Sequence, residues 1–339
     1  MTVALLAAGA KFVVVAVWIV PLLTIGRRRA ECTLTSGPKR GRFASRPRLT
    51  AVVVTVCAMA ALALAGGAAG VASSRTVIAF GSERGSAVRI HLLGMTPGYQ
   101  QVLESQGFGM DVEPSWSPNG RKLAIATSDA SGQNFDIAVL DANGAGRRRI
   151  TSGASWDEEP AWSPNGNRIA FASDRNGNFN IYTVRPDGSG LRQLTNSPCE
   201  DTEPSWSPDG SKIVFTSRRG GFPHLWTMNA DGSDERKLLA ANAWSPAWSP
   251  DGATIAFVSD QDGDDEIYTV NADGQDILKL TDNQGIADDA PSWSPDSTMI
   301  AFTSNRAGDG NIFSMRTNGS GVHTLVGGVW TNSDPAWRP

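Results

Sequence analysis

Histidine, tyrosine and cysteine are scarce in this 339-residue chain, with three of each, and that scarcity removes several chemistries at once. His91, His224 and His323 show no His-x-x-x-His spacing and no Cys-x-x-Cys occurs, which excludes a transition-metal site of those kinds. No Gly-x-Ser-x-Gly elbow is present, so the hydrolase nucleophile carried by that turn is absent. Two of the cysteines, Cys32 and Cys57, lie in the first 74 residues. That leaves Cys199 alone downstream, where no internal disulfide is possible and a buried, inert thiol is expected. Residues 75–339 also lack any amphipathic helical stripe, so this part reads as all-β.

What the chain has instead is a repeated phrase. Pro-Ser/Ala-Trp-Ser-Pro-Asp/Asn places tryptophans at Trp116, Trp162, Trp206, Trp248 and Trp293, and a clipped copy ends at Trp337-Arg338-Pro339. A period of about 44 residues is that of propeller blades rather than helical solenoids. In one repeat, Pro160–Ser163 is extended and 163–166 is a turn, with Pro at its first corner and Gly to close it. Residues 168–173 and 180–185 alternate apolar and polar, and 191–195 make a more polar outer strand. Each repeat is therefore a four-stranded sheet. Thr76–Ser82 matches a second strand with no Pro-Trp phrase before it, and the missing inner strand is supplied by Asp334–Trp337. The expected fold is an all-β six-bladed β-propeller of four-stranded blades, its ring closed by the C-terminal strand pairing with the N-terminal blade. Such a ring leaves no free sheet edge and is expected to be monomeric.

The phrases PSWSPDG, IAFTS, IYTVNADG and LKLT resemble the repeats of the TolB-type six-bladed β-propellers, relatives of the WD-repeat propellers. The resemblance covers residues 75–339. It implies a scaffold that binds protein partners in TolB, forms the non-catalytic propeller of prolyl-oligopeptidase-like peptidases and occurs in some cell-wall and polysaccharide lyases. Fold alone does not choose among these.

The first 74 residues are of a different kind. Residues 1–26 form an apolar segment, either a membrane helix or the product of a start assigned too far upstream. Residues 27–48 carry eight Lys/Arg against Glu31 alone and read as a basic cytoplasmic loop. Residues 49–74 hold no charged side chain, which suits a transmembrane helix or a signal peptide ending near Gly70-Val71-Ala72. Both readings place the propeller outside the cytoplasm, periplasmic, at the cell surface or secreted, with a membrane contact through these segments.

The whole chain has a formal charge of −4, and its first 74 residues contribute nine Lys/Arg and one acid, so the propeller itself carries −12. An acidic domain repels nucleic acid and suits cationic ligands. The loops leading into the inner strands gather at one mouth of the axial channel. They supply the candidate ligand-binding residues Glu113, Asp157, Glu158, Glu159, Glu203, Asp288, Asp289 and Asp334, with Trp156, Trp244 and Trp330 as an aromatic rim able to stack sugars or grip cations. The alternative for these carboxylates is soluble turn chemistry, and for the tryptophans it is burial between blades. Asp260, Asp262 and Asp264 have the alternate spacing of a calcium loop, without the glycine and distal glutamate of an EF-hand; an Asp-Gly hairpin explains the same residues. No other cofactor is expected. The resulting expectation is an extracytoplasmic binding module for a protein, peptide or carbohydrate at the acidic channel face. A carbohydrate-active enzyme using that channel and a membrane-tethered sensory ectodomain are the alternatives.

Overall fold

The computed structural model describes residues 77–84, 87–94, 100–103 and 109–339, apart from residues 130, 131, 133 and 309. The apolar, basic and second apolar segments at 1–26, 27–48 and 49–74 lie outside the described residues. Among the described residues no helix is long and apolar enough to cross a membrane.

Six four-stranded antiparallel sheets stand around a common axis, and no helix occurs among the described residues. Blade 1 is composite: the inner strand Thr331–Trp337 pairs with Val77–Arg84, which continues into Ala87–Gly94 and Gln100–Leu103. The other inner strands are Asp111–Trp116, Asp157–Trp162, Asp201–Trp206, Trp244–Trp248 and Asp288–Trp293, opening blades 2 to 6 in order. Outer strands are short, only two residues in blades 2 to 5. There Leu191 and Leu278 stand about half exposed, because no further sheet covers them.

The core lies between blades and is built mainly by the second strands, whose Phe80, Phe171, Phe215, Phe257 and Phe302 are fully buried. The Trp of each inner strand packs toward the neighbouring blade, with a two-blade alternation written in the residue before it. Blades 2, 4 and 6 read Pro-Ser-Trp and blades 3, 5 and 1 read Pro-Ala-Trp. Trp116, Trp206 and Trp293 donate their indole N–H to the carbonyls of Ala336, Ala161 and Ala247 in the preceding blade. In the intervening junctions, Ser115 and Ser205 accept the backbone N–H groups of Trp162 and Trp248. The six-blade ring is thus a ring of three pairs.

The Ser-Pro-x-Gly turns explain their own residues. Ser117 Oγ accepts the Lys122 N–H and donates back to the Lys122 carbonyl, while Asn119 caps the Arg121 N–H. The glycine is needed twice over. At Gly210 and Gly252 φ is +71° and +78°, and an added Cβ would stand 3.2 Å from the proline ring of the preceding blade's turn. Blade 6 has Ser297 instead, and its hydroxyl accepts the Asp251 N–H of blade 5.

One element runs through the blades as an internal latch. The first inner-strand residues Asp157, Asp201 and Asp288 are fully buried, and each is met by an arginine 18 residues later: Arg175, Arg219 and Arg306. Each guanidinium lies over the blade's cross-strand aromatic pair, Phe171 and Tyr182, Phe215 and Trp226, or Phe302 and Phe313, at 4.6–5.9 Å from the ring centroids. Other blades depart from the latch in different ways. Blade 2 has Ile125 opposite Ala138 in place of the aromatics, and Asp111 is met from the outer side by Arg147. Blade 5 has Ala243 and Gln261 in the two latch positions and yet keeps the stacked aromatic pair Phe257 and Tyr268.

Cys199 is buried as expected but is not a free thiol: it is disulfide-bonded. The count of cysteines excluded a bridge within the propeller only; Cys32 and Cys57 lie outside the described residues.

Asp288→Ala leaves Arg306 buried without its counter-ion, a loss of about 3–5 kcal/mol. Thermal unfolding should fall by roughly 6–20 °C. Lys122→Ala, which removes an ion pair whose side chains are nearly half exposed, should cost under about 1 kcal/mol. Equal losses for the two variants would mean that the latch is not a stabilising element.

Candidate functional site

The site is created by a kink repeated six times. In every inner strand the residue before the proline has a positive φ: Glu113 54°, Glu159 58°, Glu203 56°, Ser245 49°, Ala290 51° and Asp334 53°. The strand register slips at the same place in all six blades. Proline disfavours the right-handed helical region for the residue preceding it, and the bulge uses the left-handed region instead. Consecutive residues are thereby sorted. Asp157, Asp201 and Asp288 stay in the latch, while the residues next to the proline turn toward their counterparts in neighbouring blades.

Those counterparts are linked in sequence around the axis. Glu113 Oε2 accepts the N–H of Glu159 at 2.7 Å, Glu159 Oε2 accepts that of Glu203 at 2.5 Å, and Glu203 Oε2 accepts that of Ser245 at 2.7 Å. Thr216 donates its hydroxyl to the same Glu203 oxygen at 2.6 Å. Ser245 Oγ donates to Asp289 Oδ1 at 3.1 Å, and Asp289 also accepts the Ala290 N–H. Asp334 accepts from Ser333 Oγ, and its N–H donates to Thr303 Oγ1. Glu113, Glu159 and Glu203 thereby each steady the strained backbone of the next blade.

The same arrangement crowds negative charge. Carboxylate oxygens of Glu113, Glu158 and Glu159 lie within 4.8 Å of one another, the one group of three possible metal-ligating side chains among the described residues. Burial raises the Glu113 carboxyl well above its ordinary range, with the charges of Glu159, Glu158 and Asp334 adding to it. Asp289 is pushed up to about 7, first by burial and then by Glu203 and Asp334. Glu113 and Asp289 therefore hold a proton more readily than a free carboxyl does, and a cation beside either would favour its release.

The residues singled out from sequence separate into four sets. Glu113, Glu158, Glu159, Glu203, Asp289 and Asp334 belong to the axial ring. Asp157 and Asp288 do not, because their oxygens are buried against Arg175 and Arg306. Of the aromatic rim, Trp156 is 37% exposed with its ring on Phe135, Trp330 is 42% exposed, and Trp244 is half-buried against the core between blades 5 and 6. All three fall in the Pro-Ala-Trp blades. The carboxylates of the Asp-rich loop serve three separate partners: Asp260 accepts from Asn242, Asp262 pairs with Lys279, and Asp264 accepts the Gly285 N–H. Ser245 and Thr216, which tie Glu203 and Asp289 together, carry no motif. Only the constant place of Ser245 before Pro246 could have drawn attention to it.

Raised carboxyls make the folded protein bind more protons than the unfolded chain, so stability declines as pH rises from about 4 through about 7. Asp289→Asn removes one such group. Its advantage in melting temperature over the parent is expected to be larger at pH 8 than at pH 5 by at least about 2 °C. A gain that is the same at both pH values would show that Asp289 is ionised throughout.

The TolB beta propeller domain model matches the chain three times, over residues 71–191, 160–245 and 239–339. No curated protein sequence matches it. Among solved structures, TolB from Acinetobacter baumannii superposes with a TM-score of 0.70 at 24% identity, covering 78% of this chain and 67% of that one. The putative TolB from Agrobacterium tumefaciens gives 0.59 at 24% identity over 75% and 89% of the two chains. A chain of a Nidogen/Laminin complex gives 0.64 at 12% identity, over 78% of this chain and 98% of that one. With the blade count, the ring closure and three contiguous family matches in agreement, the chain belongs to the TolB β-propeller domain family.

Proposed function

We propose that the propeller is an extracytoplasmic binding module that takes a protein or peptide ligand at the acidic mouth of its axial channel. One observation carries this reading: carboxylates from different blades converge on the axis, where burial and mutual repulsion raise Glu113 and Asp289, an arrangement that favours the arrival of a cationic group. Latch aspartates show that the chain neutralises acids with arginine where it needs only stability. The ring instead ties its carboxylates to backbone N–H and hydroxyl groups of neighbouring blades. The exposed Trp156 and Trp330 add apolar surface at the same mouth, suited to the side chains or alkyl stems that flank a lysine or arginine. Membership of a family that includes TolB, and a fold shared with a chain found in a Nidogen/Laminin complex, support a protein rather than a small-molecule ligand. An extracytoplasmic location rests on the charge-free run at 49–74 and its basic flank.

Short peptides carrying one lysine or arginine beside an apolar residue, titrated into the full chain, should bind with an affinity that falls as salt rises. The triple variant E113Q/E159Q/E203Q should weaken that binding at least tenfold while keeping the fold by circular dichroism. Peptide binding that is salt-independent, or unchanged in the variant, would remove the channel carboxylates from the function.

A further inference from the structure

The face opposite the channel mouth carries a second feature, confined to blade 3. Each blade ends there in two turns, one joining inner to second strand and one joining third to fourth. In blade 3 these turns enclose a cleft of about 520 Å³ lined by Gly166, Asn167, Arg168, Arg185, Pro186 and Asp187. Arg168 and Arg185 lie one step beyond the paired residues Ile169 and Val184, so they face each other at the last rung of the sheet.

No other blade places two cations at that rung. Lys122 faces Asp141 and bonds to it, Lys212 faces Asn229 and bonds to it, Thr254 faces Asn271, and Met299 faces Arg316. Like charges directly opposite one another destabilise a sheet; among the described residues neither arginine forms a direct ion pair, and only the charge of Asp187, through Ser189, acts on Arg185. Arg168 Nη1 donates to the Gly190 carbonyl at 2.7 Å, and Arg185 Nη1 reaches Ser189 Oγ at 3.4 Å. Neither bond neutralises its guanidinium. The one carboxylate in the lining, Asp187, is turned to its own loop, accepting from the Ser189 N–H and hydroxyl.

Two further features keep the cleft open and positive. Gly190 has no side chain, and a Cβ there would stand 3.0 Å from Arg185 Nη1 and 3.7 Å from Arg168 Nη1, filling the space between them. The inner turns of blades 4, 5 and 6 carry Asp209, Asp251 and Asp296, whereas blades 2 and 3 carry Asn119 and Asn165. From the neighbouring blade, Arg148 donates to the carbonyls of Pro186 and Asp187, adding a third cation and fixing the turn.

We propose that this cleft of blade 3 is an anion site that holds a phosphate group between the guanidiniums of Arg168 and Arg185. Two fixed guanidiniums match a dianion in charge, and their planar N–H donors match its oxygens. Binding removes the cross-strand repulsion, so the protein is stabilised by the ligand. The site lies away from the carboxylate ring and does not depend on the function proposed for it.

The test is calorimetric titration of the full chain with sodium phosphate near pH 7.5, against sodium chloride of equal ionic strength. Saturable binding in the millimolar range is expected, with a matching rise in melting temperature that chloride does not give. The double variant R168Q/R185Q should bind at least tenfold more weakly. Arg192→Gln, which removes an exposed arginine bonded to the Asp231 carbonyl, should bind as the parent does. In chloride, Arg185→Gln should melt no lower than the parent, which separates loss of the site from loss of the fold. Phosphoserine, titrated in parallel, distinguishes the sources of the group: tighter binding than inorganic phosphate assigns an organic phosphate, and equal or weaker binding assigns the free ion. A chloride response equal to that of phosphate, or undiminished affinity in R168Q/R185Q, overturns the proposal.

Discussion

A left-handed residue before each inner-strand proline is the constraint on which the rest of the molecule turns. Outside glycine that conformation costs on the order of 1–3 kcal/mol per residue, and this chain adopts it in all six blades with glutamate, aspartate, serine or alanine. The cost is offset locally. At three junctions the N–H of the strained residue is accepted by the carboxylate of the strained residue one blade earlier. Backbone strain and acidic side chains are thus parts of one device, and the crowding that raises Glu113 and Asp289 is its electrostatic by-product.

The same kink decides the roles of adjacent acids. Asp157 and Glu159, two residues apart, would share one face of a regular strand. With the bulge between them and the next blade, Asp157 faces Arg175 under an aromatic pair and Glu159 faces the axis. Charge is treated in opposite ways a few ångströms apart: neutralised by a stacked guanidinium in the latch, left concentrated in the ring. In blade 2 both rings give way to Ile125 and Ala138 and the arginine, Arg147, comes from beside the outer strand, whereas blade 5 keeps Phe257 and Tyr268 stacked without either latch charge.

Most of the fold could be read from residues alone because its determinants are local and repeated: turn chemistry, alternation, and a Trp phrase whose spacing counts the blades. Closure was legible too, from a second strand lacking its partner at one end and a partner lacking its blade at the other. The candidate site was half legible. Loop acids were visible, but their division into ring and latch depends on the φ of a residue whose side chain gives no hint of it. The Asp–Arg separation of 18 residues, recurring at Asp157, Asp201 and Asp288, was the available signal for the latch. The Asp260 loop shows the converse: its alternate carboxylates look like a ligand set in one dimension, and in three they serve Asn242, Lys279 and Gly285. Pairing of Cys199 could not be reached by counting cysteines within the propeller.

Because Thr331–Trp337 completes the blade that begins at Val77, the earliest-made sheet is also the last to be finished. Ribosomes add about 5–20 residues each second, so the open edge of Val77–Arg84 waits on the order of tens of seconds for its neighbour. Throughout that interval an exposed apolar strand is available to any other extended chain. A nascent propeller of this design has to be shielded, or kept unfolded, until its final few residues emerge.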